Sequence, residues 1–436
     1  MYRQAIEDLK KWKDNPNRKP LIIRGARQVG KTWLMKEFGE NFYEHTVYVN
    51  FDGNERMSEL FSADMDIHRI ILGLELEAGF KINPEHTLIT FDEVQEVPNA
   101  LKSLKYFNEN APEYSIVAAG SLLGVALHHG TSFPVGKVEF LDLYPLNFTE
   151  FLLATGKEQF VELLQKGNFA MITSFKTKYI DALKHYYFVG GMPEVVLHFS
   201  MDNDFNNVRE IQKRILDAYE QDFSKHAPNE VVPRIRLIWN SIPVQLAKEN
   251  KKFVYGLVKE GARAREYELA MLWLIDCGLV TKVSRITKPA LPLKAYEDLK
   301  AFKLFMVDVG LLSCMSRLNP QTLLEGHSLF KEFKGSLTEQ YVFQQLKGMK
   351  WFDTYYWSND RGNSEIDFVI DNGNTIVPIE VKAETNLKAK SLKTYNEMFS
   401  PPISVRASMN DYKKEDWLVN IPLYAVNELP NQIKKL

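Results

Sequence analysis

Short apolar runs alternate with amphipathic stretches along the first third of the chain. Residues 21–23, HTVYVNFD (45–52), TLITFDEVQ (87–95), SIVAAGS (115–121) and KVEFLDL (137–143) are each apolar, short and bounded by polar or glycine-containing segments, as buried strands are. Helical periodicity fills the intervals. Strands of this kind separated by helices predict a parallel sheet covered on both faces. A ligand then belongs at the C-terminal ends of the strands.

From 147 to 205 the period is helical. Phe148, Phe151, Leu152, Phe160 and Leu163 fall on one face, and Gly190-Gly191 breaks the run with a turn. RILDAYEQDFSKH (214–226) continues it. IRLIWNSIPVQLAKEN, FVYGLVKEGARAREYELAMLWLIDCGLV and TKVSRITK then follow as helix, turn, long helix and strand, the order of a winged helix. FKLFMVDVGLL (302–312) closes this region, with Asp308 in a structural role. Beyond it, GSLTEQYVFQQLKG (335–348) sets Glu339, Val342, Phe343 and Leu346 at helical spacing, so Glu339 lies beside the apolar face. TYYWSND, EIDFVID and TIVPIEVKAE read as strands, the last two joined through Asn372-Gly373, a hairpin signal. A helix, NLKAKSLKTYNEMF, and a strand, SVRAS, end the pattern. The expected organisation is 1–146, 147–205, 206–325 and 326–436.

Composition narrows the class. Of 436 residues 45% are hydrophobic and 25% charged, with a net charge of -2. Contact with nucleic acid therefore needs a local basic patch. Lys259, Arg263 and Arg265, at the start of the long helix, are one such cluster; a solvated helix face is the other reading. Cys277 and Cys314 show no ligand spacing, and the amphipathic N-terminus is no signal peptide. No run approaches the ~20 apolar residues of a membrane span. A cytoplasmic protein is the expectation.

Two groups of residues carry chemistry. Gly25, Gly30, Lys31 and Thr32 have the spacing G-x-x-x-x-G-K-[ST], between a strand and a helix. Glycines let backbone N–H groups curl around phosphates, the helix N-terminus faces them, Lys31 adds a cation and Thr32 a hydroxyl for Mg²⁺. Asp92 and Glu93 end a strand, which suits Asp92 to the metal and Glu93 to the attacking water. Ser121 ends the next strand, placed to meet the γ-phosphate. In the C-terminal hairpin, Glu380 and Lys382 share a face, and Asp367 is opposite in parity to Ile366, Phe368 and Ile370. Asp367 and Glu380 would hold Mg²⁺, Lys382 would orient water, and Glu339 could add a third ligand. The competing reading is a charged surface network.

The segments IIRGARQVGKTWL, LITFDEVQ, VAAGSLLG, PVGKVEFLDLYPLNFTEFL and YFVGGMPEVV resemble the AAA-type P-loop ATPases of the additional-strand class, which include STAND-like proteins. More narrowly, they resemble prokaryotic ATPases that carry a C-terminal domain of unknown function. That resemblance implies ATP and Mg²⁺ as cofactors, ATP hydrolysis, and a helical lid over 147–205. For a finger residue it offers only Lys137 and Arg27. The pattern D-x(12)-E-x-K after a helix with an acidic residue resembles the PD-(D/E)xK restriction-endonuclease-like superfamily. Tyr395 matches a helix motif of that superfamily, Ser391 stands where glutamine is usual, and Ile366 replaces its proline. The implied architecture is a parallel-sheet P-loop ATPase with a lid, a central winged-helix or helical domain, and a C-terminal α/β nuclease-like domain. The implied function is an ATP-driven switch coupled to a domain that cuts or binds DNA. Two alternatives stay open. One is a signalling module whose inactive nuclease-like scaffold recognises protein or nucleic acid. The other is a ring-forming motor that self-associates.

Overall fold

Each of the five apolar runs becomes a strand in the computed structural model. It describes residues 1–121, 134–248, 251–323, 331–349, 353–359, 364–371, 373–384 and 390–433. The strands are β1 (Leu21–Arg24), β2 (His45–Asn50), β3 (Thr87–Asp92), β4 (Ser115–Ala119) and β5 (Glu139–Asp142). All pair in parallel, in the order β2-β3-β4-β1-β5. Every residue of β3 and β4 is buried, whereas the edge strands β2 and β5 are buried only at alternate positions or less. That is the burial expected of a sheet covered on both faces. The α-helices among the described residues of this unit are α1 (Ala5–Asp14), α2 (Lys31–Phe42), α3 (Glu55–Ala63), α4 (Ile67–Ala78) and α5 (Pro98–Asn110). Phe51, Phe61 and Phe91 meet edge to face in the core, with ring centroids 5.3–5.5 Å apart. The strand ending in the acidic pair, β3, is separated from the phosphate-loop strand, β1, by β4.

By internal contacts the chain divides into two units. One is Tyr2–Tyr144 with Asp276–Gly278; the other is Pro145–Ile275 and Leu279–Leu436, with Met1. In the second, α6 (Phe148–Ala154), α7 (Glu158–Lys166), α8 (Phe169–Ser174), α9 (Lys176–Val189), α10 (Pro193–Asp202), α11 (Phe205–His226), α12 (Val232–Leu246) and α13 (Ala264–Asp276) precede the first strand. The Asn147 side chain and Glu150 form a reciprocal capping box at the start of α6. No helix among the described residues is long and apolar enough to cross a membrane.

The second unit holds an eight-stranded sheet that runs across the expected boundary at 325/326. Its strands are β6 (Val280–Ile286), β7 (Glu297–Met306), β8 (Asp353–Ser358), β9 (Glu365–Asp371), β10 (Ile376–Lys382), β11 (Ser404–Ser408), β12 (Lys413–Lys414) and β13 (Leu418–Pro422), in the order β12-β13-β11-β10-β9-β8-β6-β7. The segment expected as a wing is β6. It pairs antiparallel with β7 and in parallel with β8, through Arg285↔Tyr356 and Ile286↔Trp357. Pairing satisfies backbone groups that a free wing would leave to solvent. Three helices complete the unit: α14 (Val309–Met315), α15 (Lys331–Gly348) and α16 (Lys390–Phe399), with a short α17 (Leu429–Ile433) at the end. Asn372 and residues 386–389, which belong to the expected turn and helix, lie outside the described residues.

Two sequence expectations change here. Helix α15 is not simply amphipathic: from Ser336 to Leu346 it is buried on every side. Three of its polar residues bond internally. Ser336 donates to the Leu246 carbonyl at 2.7 Å, Gln340 bonds both the N–H and the carbonyl of Met306, and Gln345 accepts from the Phe148 N–H at 2.8 Å. The parity assumed for 366–370 also fails, because the β8–β9 register shifts between Tyr355 and Trp357. Ile366 and Val369 consequently join the same apolar cluster, with Tyr355, Trp357, Leu392 and Tyr395. Tyr395 is a core residue there, edge-on to Trp357 at 5.2 Å.

The Gly190-Gly191 turn meets Asp308. This buried carboxylate accepts from Gly191 N–H at 2.6 Å, Leu311 N–H at 3.0 Å and Gln344 Nε2 at 3.0 Å. A Cβ on Gly190 would lie 2.1 Å from Asp308 Oδ1, and one on Gly191 2.1 Å from the Leu146 carbonyl oxygen. Backbone cannot yield to such overlap cheaply. Gly191→Ala is expected to cost about 3 kcal/mol, read as a lower melting midpoint. Gly335→Ala, whose Cβ meets nothing within 4 Å, should not destabilise; equal losses in both would remove the steric explanation.

Candidate functional site

The loop from Gly25 to Thr32 is shaped by its glycines. Gly25 has φ +152°, and a Cβ there would sit 2.2 Å from the Leu143 carbonyl oxygen. Gly30 has φ 93°, in the left-handed region, and begins α2 without a side-chain cap. The first N–H groups of α2 are therefore left to another acceptor. Lys31 folds back into the loop. Its Nζ donates to the carbonyls of Ala26, at 2.8 Å, and Gly25, at 3.0 Å, and the residue is only 6% exposed. Burial lowers its pKa to about 8; the carboxylates of Glu93 and Asp92 oppose that shift without cancelling it.

Asp92, at the end of β3, is held from three sides. Its Oδ2 accepts from the Thr32 hydroxyl at 2.7 Å and the Tyr48 phenol at 2.9 Å. Its Oδ1 accepts from the Glu93 N–H at 3.1 Å. Glu93 itself has φ 49°. Its carboxylate accepts from Gln95 Nε2 at 2.6 Å and from the Ser121 hydroxyl at 3.2 Å. Lys31, Thr32, Asp92, Glu93 and Ser121 thus converge at the C-terminal ends of β1, β3 and β4. Tyr48 and Gln95 also belong to the cluster. Gln95 stood beside the acidic pair in the sequence; nothing in the sequence set Tyr48 apart from the other apolar residues of its strand. Residues 122–124, the end of VAAGSLLG, lie outside the described residues. Of the finger candidates, Lys137 pairs with Glu109 at 2.9 Å, and Arg27 lies near enough to Lys31 to oppose its charge.

A hydroxyl and a carboxylate 2.7 Å apart, Thr32 and Asp92, are hard oxygen donors of the kind Mg²⁺ takes. They fit that ion in a site that also supplies phosphate oxygens.

The C-terminal carboxylates do not fit a metal in the same way. Asp367, Glu380, Lys382 and Glu339 do gather on one side of the sheet, but lysines are already among them. Lys303, from β7, is fully buried, with Nζ 2.5 Å from Glu365, 3.6 Å from Glu339 and 3.9 Å from Asp367. Lys251 bonds Glu339 directly, and Lys382 pairs with Glu380 at 2.9 Å. Burial pushes the Glu339 carboxyl up, but Lys251 and then Lys303 outweigh it and hold it down at about 2. Asp367 goes the other way: burial, reinforced by the charge of Glu339, raises it well above the carboxylate range. Burial likewise raises Glu380, against the pull of Lys382. Among the described residues no group of three or more His, Cys, Asp or Glu is arranged to hold a metal ion. Sequence reasoning missed Lys251 and Lys303 because they lie far from the hairpin in the chain.

Lys259 and Arg263, just before α13, and Arg265, in its first turn, are exposed. The same helix also exposes Leu269, at 67%, and Leu272.

Three family models match along the chain. Residues 17–152 match the model of an AAA domain. Residues 180–322 and 334–426 match two domains of unknown function, DUF8612 and DUF4143. No curated protein matches. Among solved structures, a Walker-type ATPase of Pyrococcus abyssi is 15% identical, covering 72% of this chain and 95% of its own, with a TM-score of 0.45. The Orc1 protein of Aeropyrum pernix in complex with DNA is 13% identical (72% and 91% covered, TM-score 0.28). Cdc6p from Pyrobaculum aerophilum is 11% identical (74% and 93% covered, TM-score 0.24). In sequence and in its strand-to-loop plan, the N-terminal region is similar to P-loop AAA-type ATPase domains.

Proposed function

We propose that the protein is an ATP-binding and ATP-hydrolysing switch whose C-terminal region binds DNA or a protein partner and does not cut. The observation that carries the first half is the convergence of Lys31, Thr32, Asp92, Glu93 and Ser121 around one loop. Phosphate oxygens would take over the Lys31 donors now given to Gly25 and Ala26, and the N–H groups that open α2 would face the same anion. Thr32 and Asp92 would hold Mg²⁺, which, when bound, neutralises charge developing on the transferred phosphoryl group. Glu93 would orient and polarise the attacking water, once Ser121 or Gln95 releases one of its oxygens. Where Ser121 is the group released, its hydroxyl would donate to the γ-phosphate.

The test is Glu93→Gln. ATP binding, followed with a fluorescent analogue, should persist, while phosphate release falls by about 10² or more. Unchanged turnover would remove Glu93 from the role. The proposal of binding without cutting rests on the lysines paired with Glu339, Glu365, Asp367 and Glu380. Cleavage of plasmid DNA in Mn²⁺ that is lost in Asp367→Ala would overturn it.

A further inference from the structure

Asp92 Oδ2 receives two hydroxyls, and only one of them belongs to the phosphate loop. The other is Tyr48, from the middle of β2. Register places Asn50, not Tyr48, beside Asp92, and sets Tyr48 beside Thr90. The phenol therefore reaches along the sheet by one same-face step to find the carboxylate, a distance open to a long aromatic side chain. Lys36 covers one face of its ring, with Nζ 4.3 Å from the centroid. The remaining carboxylate oxygen is fixed by the Glu93 N–H.

We infer that Tyr48 is a positioning residue for the divalent cation of the nucleotide site, orienting the Asp92 carboxylate that acts together with Thr32. The inference rests on the nucleotide-binding reading above. Without the phenol, Asp92 loses a donor on the oxygen it shares with Thr32, and its rotation is less restrained. Outer-shell partners of this kind alter metal affinity by about 10- to 100-fold.

The experiment is a Mn²⁺ titration by electron paramagnetic resonance, with the full chain saturated with ADP. Parent, Tyr48→Phe, Lys36→Ala and Thr32→Ala proteins are compared. ADP affinity in EDTA and the melting midpoint are measured alongside. Tyr48→Phe should bind ADP in EDTA within twofold of the parent, melt at the parent's temperature, and bind Mn²⁺ about tenfold more weakly. Lys36→Ala removes the ring contact and keeps the hydrogen bond, so its Mn²⁺ affinity should match the parent's. Thr32→Ala should show the largest loss. Parental Mn²⁺ affinity in Tyr48→Phe overturns the inference, and so does an equal loss in Lys36→Ala. A parent protein that binds no ADP would instead overturn the nucleotide reading itself. One that binds ADP but no Mn²⁺ overturns the role of Tyr48 and the metal role of Thr32 and Asp92, and leaves the nucleotide reading standing.

Discussion

Lys31→Ala should lower ATP affinity by about a hundredfold or more, the effect of losing a buried charged partner worth about 3 kcal/mol. The fold should survive it. Lys31 is a desolvated ammonium held by two carbonyls, so its removal relieves a burial cost as well as breaking those bonds. The melting midpoint of the nucleotide-free protein should therefore change little. Unchanged ATP affinity in this variant would mean that the loop is not the phosphate site. The lysine also sets a pH dependence. Its folded pKa, about 8, lies below the ordinary 10.5. The charged form is thus disfavoured by folding, and the nucleotide-free protein should gain stability as pH rises from about 8 towards 10.5. ATP needs the ammonium. Its affinity should fall over that same interval, with proton uptake on binding. Calorimetry in two buffers of different ionisation enthalpy measures that uptake directly.

Lys303→Met is the second large effect. It leaves Glu339, Glu365 and Asp367 without their shared cation in a buried setting. Breaking a buried pair from one side costs about 3–5 kcal/mol, or roughly 10 °C in the melting midpoint of a unit this size. The partners should not be equivalent. Glu339 is held ionised by Lys251 and Lys303, so Glu339→Gln strands Lys251, leaves Lys303 to Glu365 and Asp367, and should be costly. Asp367 is favoured in its protonated form, so Asp367→Asn should be mild. Without nucleotide, Mn²⁺ should leave the parent's melting midpoint unchanged and raise that of Lys303→Met, where carboxylates have been released. Stabilisation of the parent by Mn²⁺ would show that the carboxylates do hold a metal, and the cutting reading would return.

Much of the nucleotide site was legible because its chemistry is local. Gly25, Gly30, Lys31 and Thr32 lie within one loop of chain, and Asp92-Glu93 ends a largely apolar strand. The C-terminal cluster was legible only in part. Asp367, Glu380 and Lys382 were found from the hairpin, and Glu339 from its helix, yet their partners Lys251 and Lys303 come from segments assigned to another domain. Strict alternation along β9 gave way to a register shift that two-residue periodicity cannot show. The polar positions of α15 are buried and hydrogen-bonded to partners that helical spacing does not reveal.

The sequence by itself determined the strands of the N-terminal sheet, the phosphate loop and the placing of an acidic pair at a strand end. These follow from short-range periodicity and from backbone demands that only glycine meets. Tertiary structure alone decided three things: that Tyr48 shares Asp92 with Thr32, that β6 and β7 extend the C-terminal sheet, and that lysines stand among the carboxylates where a metal was expected. Each depends on groups distant in the chain meeting where water is excluded. There a charge or a polar group must find a partner, and which partner it finds is set by packing.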